Sequence, residues 1–185
     1  MSVSLNGRTA LVTGSSRGIG QAIAERLAAD GAAIIINYTR NEQPARAVVN
    51  RIVGNGGKAI AIQADISKAA DVTRLFSEAE KAMGQLDIVV ANAGVYMMKP
   101  FIESTEADYD TIFGINTKGV FFTLQQAARR VRDAGRIVVV STGGTKMLFP
   151  NNSLYLGSKG AIEQFARTLA VELGPRNVTV NILSP

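Results

Sequence analysis

Short apolar runs alternate with amphipathic stretches along the whole chain. The runs Thr9–Thr13, Ala33–Tyr38, Lys58–Gln63, Asp87–Ala91, Arg136–Ser141 and Val178–Leu183 are rich in β-branched residues and predict six strands. Most are apolar at consecutive positions, as expected of strands buried on both faces in a parallel sheet. The intervening stretches carry the helical period. Ile19, Ala22, Ile23 and Leu27 predict one core-facing stripe, and Val72, Leu75, Phe76, Ala79 and Met83 another. Gly31 and Gly84 mark helix ends, and Pro44 marks a helix start. Strands alternating with helices predict right-handed crossovers on both sides of one sheet. The expected fold is a three-layer, doubly wound α/β domain of six strands spanning residues 1–185, without internal repeat or linker.

Composition narrows the chemistry. The chain of 185 residues contains no His and no Cys, which excludes an imidazole base, imidazole or thiolate metal ligands, thiol nucleophiles and disulfides. A net charge of +5 does not predict a nucleic-acid surface, because the basic residues are scattered and interleaved with acids such as Glu78, Glu80 and Asp133. It does favour small anionic ligands. Apolar runs such as Ala32–Ile36 and Ile137–Val140 fall far below the roughly 20 residues of a membrane helix, so no membrane partner and a cytoplasmic location are expected.

The first predicted strand runs directly into Thr13-Gly14-Ser15-Ser16-Arg17-Gly18-Ile19-Gly20, where the first helix begins. Glycines at a strand-to-helix turn let the backbone approach a pyrophosphate, whose charge the unpaired N–H groups and positive end of the helix then hold. Gly14, Ser16, Arg17, Gly18, Ile19 and Gly20 are therefore candidate dinucleotide-binding residues. A carboxylate about 20 residues beyond such a turn usually bonds the ribose 2′-OH of NAD. Here the second strand ends Asn37-Tyr38-Thr39-Arg40, with no acid. Arg17 and Arg40 offer forked, charged donors to a 2′-phosphate instead, so NADP(H) is expected over NAD(H), with Tyr38 and Arg40 beside it. Arg40 as a solvated loop charge is the alternative.

The spacing Gly14-x-x-x-Gly18-x-Gly20, together with Asn92-Ala93-Gly94 and Tyr155-x-x-x-Lys159, resembles the short-chain dehydrogenase/reductase family over the whole chain. That resemblance implies a Rossmann-type fold and hydride exchange between the cofactor and a small carbonyl or alcohol substrate. It implies that Asp65 bonds the adenine edge, where capping the following helix is the alternative, and that Asn92 and Gly94 shape the pocket beside the ribose. Tyr155 and Lys159, four apart on a predicted helix, share a face. The ammonium is expected to draw the phenol, with an ordinary pKa near 10, toward working range. By resemblance, Tyr155 exchanges the proton on the substrate oxygen, and Lys159 also bonds the nicotinamide ribose. Thr142 stands where the family places a Ser; Ser141 would substitute only through a bulged strand end. By that resemblance Asn116 matches the family's fourth catalytic member, a water-holding residue, with a local kink or an inter-helix hydrogen bond as the alternative. The resemblance is nearest in tone to 3-oxoacyl-carrier-protein reductases.

The chain stops at Pro185, as the sixth strand reaches the ligand-binding edge. The resemblance implies a Gly, a mobile closing segment and a seventh strand further on. This expectation leaves open an NADP-binding pseudoenzyme or a truncated subunit with an assembly role. Tyr96, Met97, Met98, Phe149 and Leu154 suggest an apolar pocket or ordinary packing. The helix Tyr155–Leu173 pairs a core stripe of Ile162, Phe165, Ala166, Leu169 and Leu173 with small or apolar residues Ala161, Ala170 and Val171 elsewhere. A homodimer or higher homo-oligomer is expected, through this helix and the one around Phe121–Ala128.

Overall fold

The computed structural model describes residues 4–185. The strands are β1 (Thr9–Val12), β2 (Ala33–Tyr38), β3 (Lys58–Gln63), β4 (Ile88–Ala91), β5 (Arg136–Val140) and β6 (Thr179–Leu183). All pair in parallel, in the order β3-β2-β1-β4-β5-β6. The register sets Leu11 beside Ile35 and Val89, and Val12 beside Ile36 and Val90. Alternate strand residues then serve opposite layers. Leu11, Ile35, Val89 and Ile137 join a core with Val72, Leu75, Phe76 and Ala79 of α3 (Ala69–Met83), Leu124 of α5 (Val120–Arg130) and Ile162 of α6 (Ser153–Glu172). Ala10, Val12, Ile34, Ile36 and Val90 face α1 (Gly18–Ala29) and α2 (Glu42–Gly54) on the other side.

Continuous apolar runs thus fill two cores at once, and polar chemistry is left to the loops beyond the strand ends. The strand order reverses direction between β1 and β4, which opens a crevice at their carboxyl ends. The sixth strand departs from the continuous-run expectation. Thr179, Asn181 and Leu183 are exposed while Val180 and Ile182 are half-buried, because β6 is an edge strand among the described residues.

Two helix details correct the sequence reading. Helix α1 turns Gly20 and Ala24 inward, with Ile23 and Leu27 half-buried, and leaves Ile19 and Ala22 exposed. The cause is close packing: a Cβ at Gly20 would lie 2.4 Å from Asn92 Nδ2 and 2.7 Å from the Gly14 oxygen, so this face alone fits against the loops. Helix α2 starts at Glu42, ahead of Pro44, because Asn41 caps it by accepting the Gln43 N–H at 3.0 Å. The expected stripe of α3 is buried as predicted, with Met83 at its end half-buried.

Helix α4 (Glu106–Phe113) passes through a π-helical turn, Gly114–Gly119, into α5. That wider turn sets Asn116 at zero exposure. Such turns often accompany functional side chains.

Candidate active site

The loops after β1, β2 and β4 are tied to one another by side chains. Thr13 Oγ1 accepts the N–H groups of Asn92 (3.0 Å) and Ala93 (3.1 Å), and Asn92 Nδ2 returns a bond to the Thr13 carbonyl at 2.9 Å. Asn37, buried at the end of β2, accepts the Gly14 N–H at 3.1 Å and donates to the Ala64 carbonyl at 3.2 Å. Buried backbone groups at strand ends have no ladder partner, so these side chains complete the hydrogen bonding and fix the loop shape. Gly14 has φ +61°, and a Cβ there would fall 2.9 Å from Ala93 Cα. Only glycine meets both the left-handed backbone and the close approach.

Beyond this turn the N-terminus of α1 has no capping side chain and no acidic residue in its first turn. Its free N–H groups and positive dipole end fit an anion such as a pyrophosphate, as the Gly14–Gly20 segment predicts. Ser16 is half-buried in this turn, whereas Arg17, Gly18 and Ile19 are exposed. At the end of β2, Tyr38 packs beside the core, and Arg40 is exposed. Neither Arg17 nor Arg40 forms an ion pair among the described residues. Nearby Glu42 is engaged with Arg46 at 2.7 Å.

Asp65 follows β3 and holds the turn after it: Oδ1 accepts the Ser67 N–H at 3.1 Å and the Ser67 hydroxyl at 2.7 Å. The N-cap of α3 is Lys68, so Asp65 shapes the approach to that helix without capping it. Asn92, as described, spends its amide on the β1 loop.

The second half of the site faces this crevice. Asn116 Oδ1 accepts the Val95 N–H at 2.8 Å, while Nδ2 donates to the Val95 carbonyl at 2.9 Å and to Ser158 Oγ at 3.1 Å. One amide therefore joins the β4 loop to α6. Gly94 lies between them: a Cβ there would be 3.2 Å from Asn116 Oδ1 and 3.3 Å from Lys159 Nζ.

Lys159 is 4% exposed, and its ammonium donates to the Val140 carbonyl at the end of β5, at 2.9 Å. Nζ stands 5.9 Å from the centroid of the Tyr155 ring. Burial pushes the Lys159 amine down to about 8. Tyr155, at the other end of this i, i+4 pair, packs edge-on against Tyr96 with centroids 4.9 Å apart.

The expectation that Lys159 draws the Tyr155 phenol down is corrected. Burial raises the phenol above its ordinary value, Thr142 hydrogen bonding opposes that rise, and Tyr96 adds to it. The ammonium is itself desolvated and gives its described hydrogen bond to a strand-end carbonyl. At neutral pH the site therefore holds a protonated phenol beside a lysine that is mostly charged.

Thr142 and Ser141 differ in their partners. Ser141 is buried and donates to Glu163 Oε1 at 2.7 Å. Thr142, half-buried, starts a tight turn by accepting the Gly144 N–H at 3.2 Å, and its hydroxyl opposes the rise of the Tyr155 phenol. Sequence reasoning missed the roles of Thr13, Asn37 and Glu163. A lone amide closing the run Ile34-Ile35-Ile36-Asn37, and a lone acid on the apolar part of α6, were the available signals.

A parallel sheet with a glycine turn at its switch point and a Tyr–Lys pair across the crevice defines a dinucleotide-dependent oxidoreductase architecture. Residues 8–185 match the family model described as short chain dehydrogenase, and the chain belongs to that family. It is 49% identical over 183 residues to the hydroxynaphthalene reductase-like protein Arp2 of Metarhizium brunneum (strain ARSEF 3297), covering 98% of this chain and 68% of that protein. A dehydrogenase/reductase from Sinorhizobium meliloti 1021 superposes with a TM-score of 0.97 at 42% identity, over 100% of this chain and 73% of that one. A short chain dehydrogenase from Burkholderia cenocepacia J2315, solved in complex with NADP, superposes with a TM-score of 0.95 at 42% identity, over 98% and 74% respectively. The protein is an oxidoreductase of this family.

The depressed amine of Lys159 predicts a pH signature. Between pH about 8 and 10.5 Lys159 keeps its proton in the unfolded chain and has lost it in the folded chain, so its contribution to folded stability rises with pH across that window. Relative to Lys159→Met, which keeps the stem and removes the charge, the wild type gains stability from pH about 8 to about 10.5 in urea denaturation. A difference that stays constant with pH would contradict the buried, only partly compensated ammonium.

Proposed function

We propose that this protein interconverts an apolar ketone and its secondary alcohol with NADP(H), Tyr155 supplying or accepting the proton on oxygen. The observation that carries the reading is the convergence of Thr142, Tyr155, Lys159 and Asn116 on the crevice that the glycine turn borders. The Gly14–Gly20 segment and the N-terminus of α1 would hold the cofactor, which when bound would supply or receive the hydride. In the reducing direction the Tyr155 hydroxyl gives its proton to the carbonyl oxygen as negative charge develops there. Thr142 donates a second hydrogen bond to that oxygen, and the neighbouring ammonium of Lys159 steadies the phenolate left behind. Lys159 retains two N–H donors beyond its bond to Val140, enough to hold a ribose hydroxyl. Asn116 keeps the Val95 backbone and α6 in place.

Thr142 in place of the family's Ser adds a methyl group near the oxygen position and restricts χ1. An apolar entrance supports the substrate class. Tyr96 and Met98 after β4 and Leu148 and Phe149 after β5 are all exposed, Leu148 fully. The two loops touch, the Lys99 N–H donating to the Asn151 carbonyl at 2.7 Å. The name of the Metarhizium relative points to fused-ring aromatic compounds, so β-tetralone, a benzo-fused cyclic ketone, is a suitable probe. A binding-only role is the competing reading, favoured by the Thr142 departure. It predicts NADPH binding without ketone-dependent oxidation.

We also infer self-association. Val171 is 79% exposed and Phe121 42%, and Phe121 packs edge-on against Phe165, so apolar side chains stand exposed on both α5 and α6. A second copy meeting these helices about a two-fold axis would cover them.

Three outcomes test these assignments. Tyr155→Phe should bind NADPH nearly as the wild type does and lose on the order of 10²–10⁴-fold in β-tetralone-dependent NADPH oxidation. Retention of most activity would move the proton donor elsewhere. NADPH should bind more tightly than NADH by about 1–3 kcal/mol in fluorescence titration, a preference that Arg17→Ala with Arg40→Ala removes; equal affinities in the wild type would refute it. In light scattering at tens of micromolar the protein should be a dimer that Ala170→Glu dissociates, and a monodisperse monomer would remove the interface.

A further inference from the structure

Helix α6 carries one ionisable group that the proposed reaction leaves unused. Glu163 is 7% exposed and lies one turn beyond Lys159 and two beyond Tyr155 on the same face. Its Oε1 accepts two hydroxyl hydrogens, from Ser141 Oγ at 2.7 Å and from Thr145 Oγ1 at 2.7 Å. Oε2 accepts from Arg167 at 3.4 Å. Burial pushes the carboxyl up, yet the two hydroxyls and Arg167 outweigh it and hold the group below its ordinary value, so it is an anion at neutral pH.

The two hydroxyl donors bracket Thr142. Ser141 precedes it at the end of β5, and Thr145 follows it in the turn Gly143–Lys146, which Thr142 itself opens. Bonds from neutral hydroxyls to a buried carboxylate are short and strong. Both flanks of Thr142 are therefore fastened to the helix that bears Tyr155, and the spacing between the two side chains is set through one carboxylate oxygen.

We propose that Glu163 is a positioning residue for the reduction, clamping Ser141 and Thr145 so that the Thr142 hydroxyl is held against the substrate oxygen opposite Tyr155. The inference rests on the reading of Thr142 given above. A hydroxyl without that clamp is misplaced by rotation of the turn, and small misplacements at a reacting centre are costly in rate. The effect travels through Thr142, which separates it from a general contribution to folding.

The test compares steady-state β-tetralone reduction, NADPH affinity and melting temperature in Glu163→Leu, Glu163→Gln, Thr142→Ala and the double variant Glu163→Leu/Thr142→Ala. Glu163→Leu should lower kcat about tenfold with NADPH Kd within about twofold of wild type. Glu163→Gln, whose amide oxygen still accepts both hydroxyls, should lose less. Once Thr142 is Ala, adding Glu163→Leu should change kcat by less than about twofold, because effects of groups acting through one another do not add. An equal loss with and without the Thr142 hydroxyl, or an unchanged kcat in Glu163→Leu, overturns the positioning role and leaves the Thr142 reading standing. A Thr142→Ala enzyme at wild-type rate overturns the Thr142 reading and the inference with it. Should Glu163→Leu fail to fold, Thr145→Val removes one arm of the clamp from outside α6. Its several-fold loss of kcat should likewise vanish in the Thr142→Ala background, and persistence there overturns the proposal.

Discussion

A parallel sheet buried on both faces has nowhere to place polar groups except beyond its strand ends, and there each loop's backbone must find partners without a ladder. In this protein four short side chains meet that demand. Thr13 and Asn92 bond across the β1 and β4 loops, Asn37 holds the glycine turn against β2, and Asn116 joins the β4 loop to α6. The crevice has its shape because these bonds leave the loops little freedom. Gly14 and Gly20 then bring the backbone close enough that any added Cβ would collide.

On that frame Lys159 is buried without an ion-pair partner among the described residues. An ammonium out of water is unfavourable, and the Val140 carbonyl compensates only in part, as the fall of its amine to about 8 records. The same burial keeps the Tyr155 phenol protonated. A helix that presents Tyr155, Lys159, Glu163 and Arg167 at four-residue intervals carries a polar line along one side while its apolar residues enter the core. Along that line burial disfavours the charge of Lys159, whereas the hydroxyls of Ser141 and Thr145 and the Arg167 guanidinium favour that of Glu163.

Much of this was legible in the sequence. Continuous apolar runs marked the parallel strands, and glycine spacing after the first of them marked the turn that borders the crevice. The four-residue step from Tyr155 to Lys159 placed both on one helix face before any coordinates were needed. Other features depend on contacts between distant segments. Hydrophobicity put Ile19 and Ala22 on the buried face of α1, whereas the fit of Gly20 against Asn92 turned them outward. The direction of the Tyr155 shift depends on burial and on where Lys159 spends its hydrogen bond, neither of which spacing reveals. The bond from Ser141 to Glu163 pairs residues 22 positions apart, which spacing does not reveal either.

The central claim is that a carbonyl compound and a nicotinamide cofactor meet in this crevice and exchange hydride. Its most direct test is reduction of β-tetralone with NADPH deuterated at the transferable ring position, followed by mass spectrometry and NMR of the product. The account predicts an alcohol with deuterium on the carbinol carbon and enrichment in one stereoisomer. Recovery of unreacted ketone alongside tightly bound NADPH, or an alcohol without deuterium at that carbon, would contradict it.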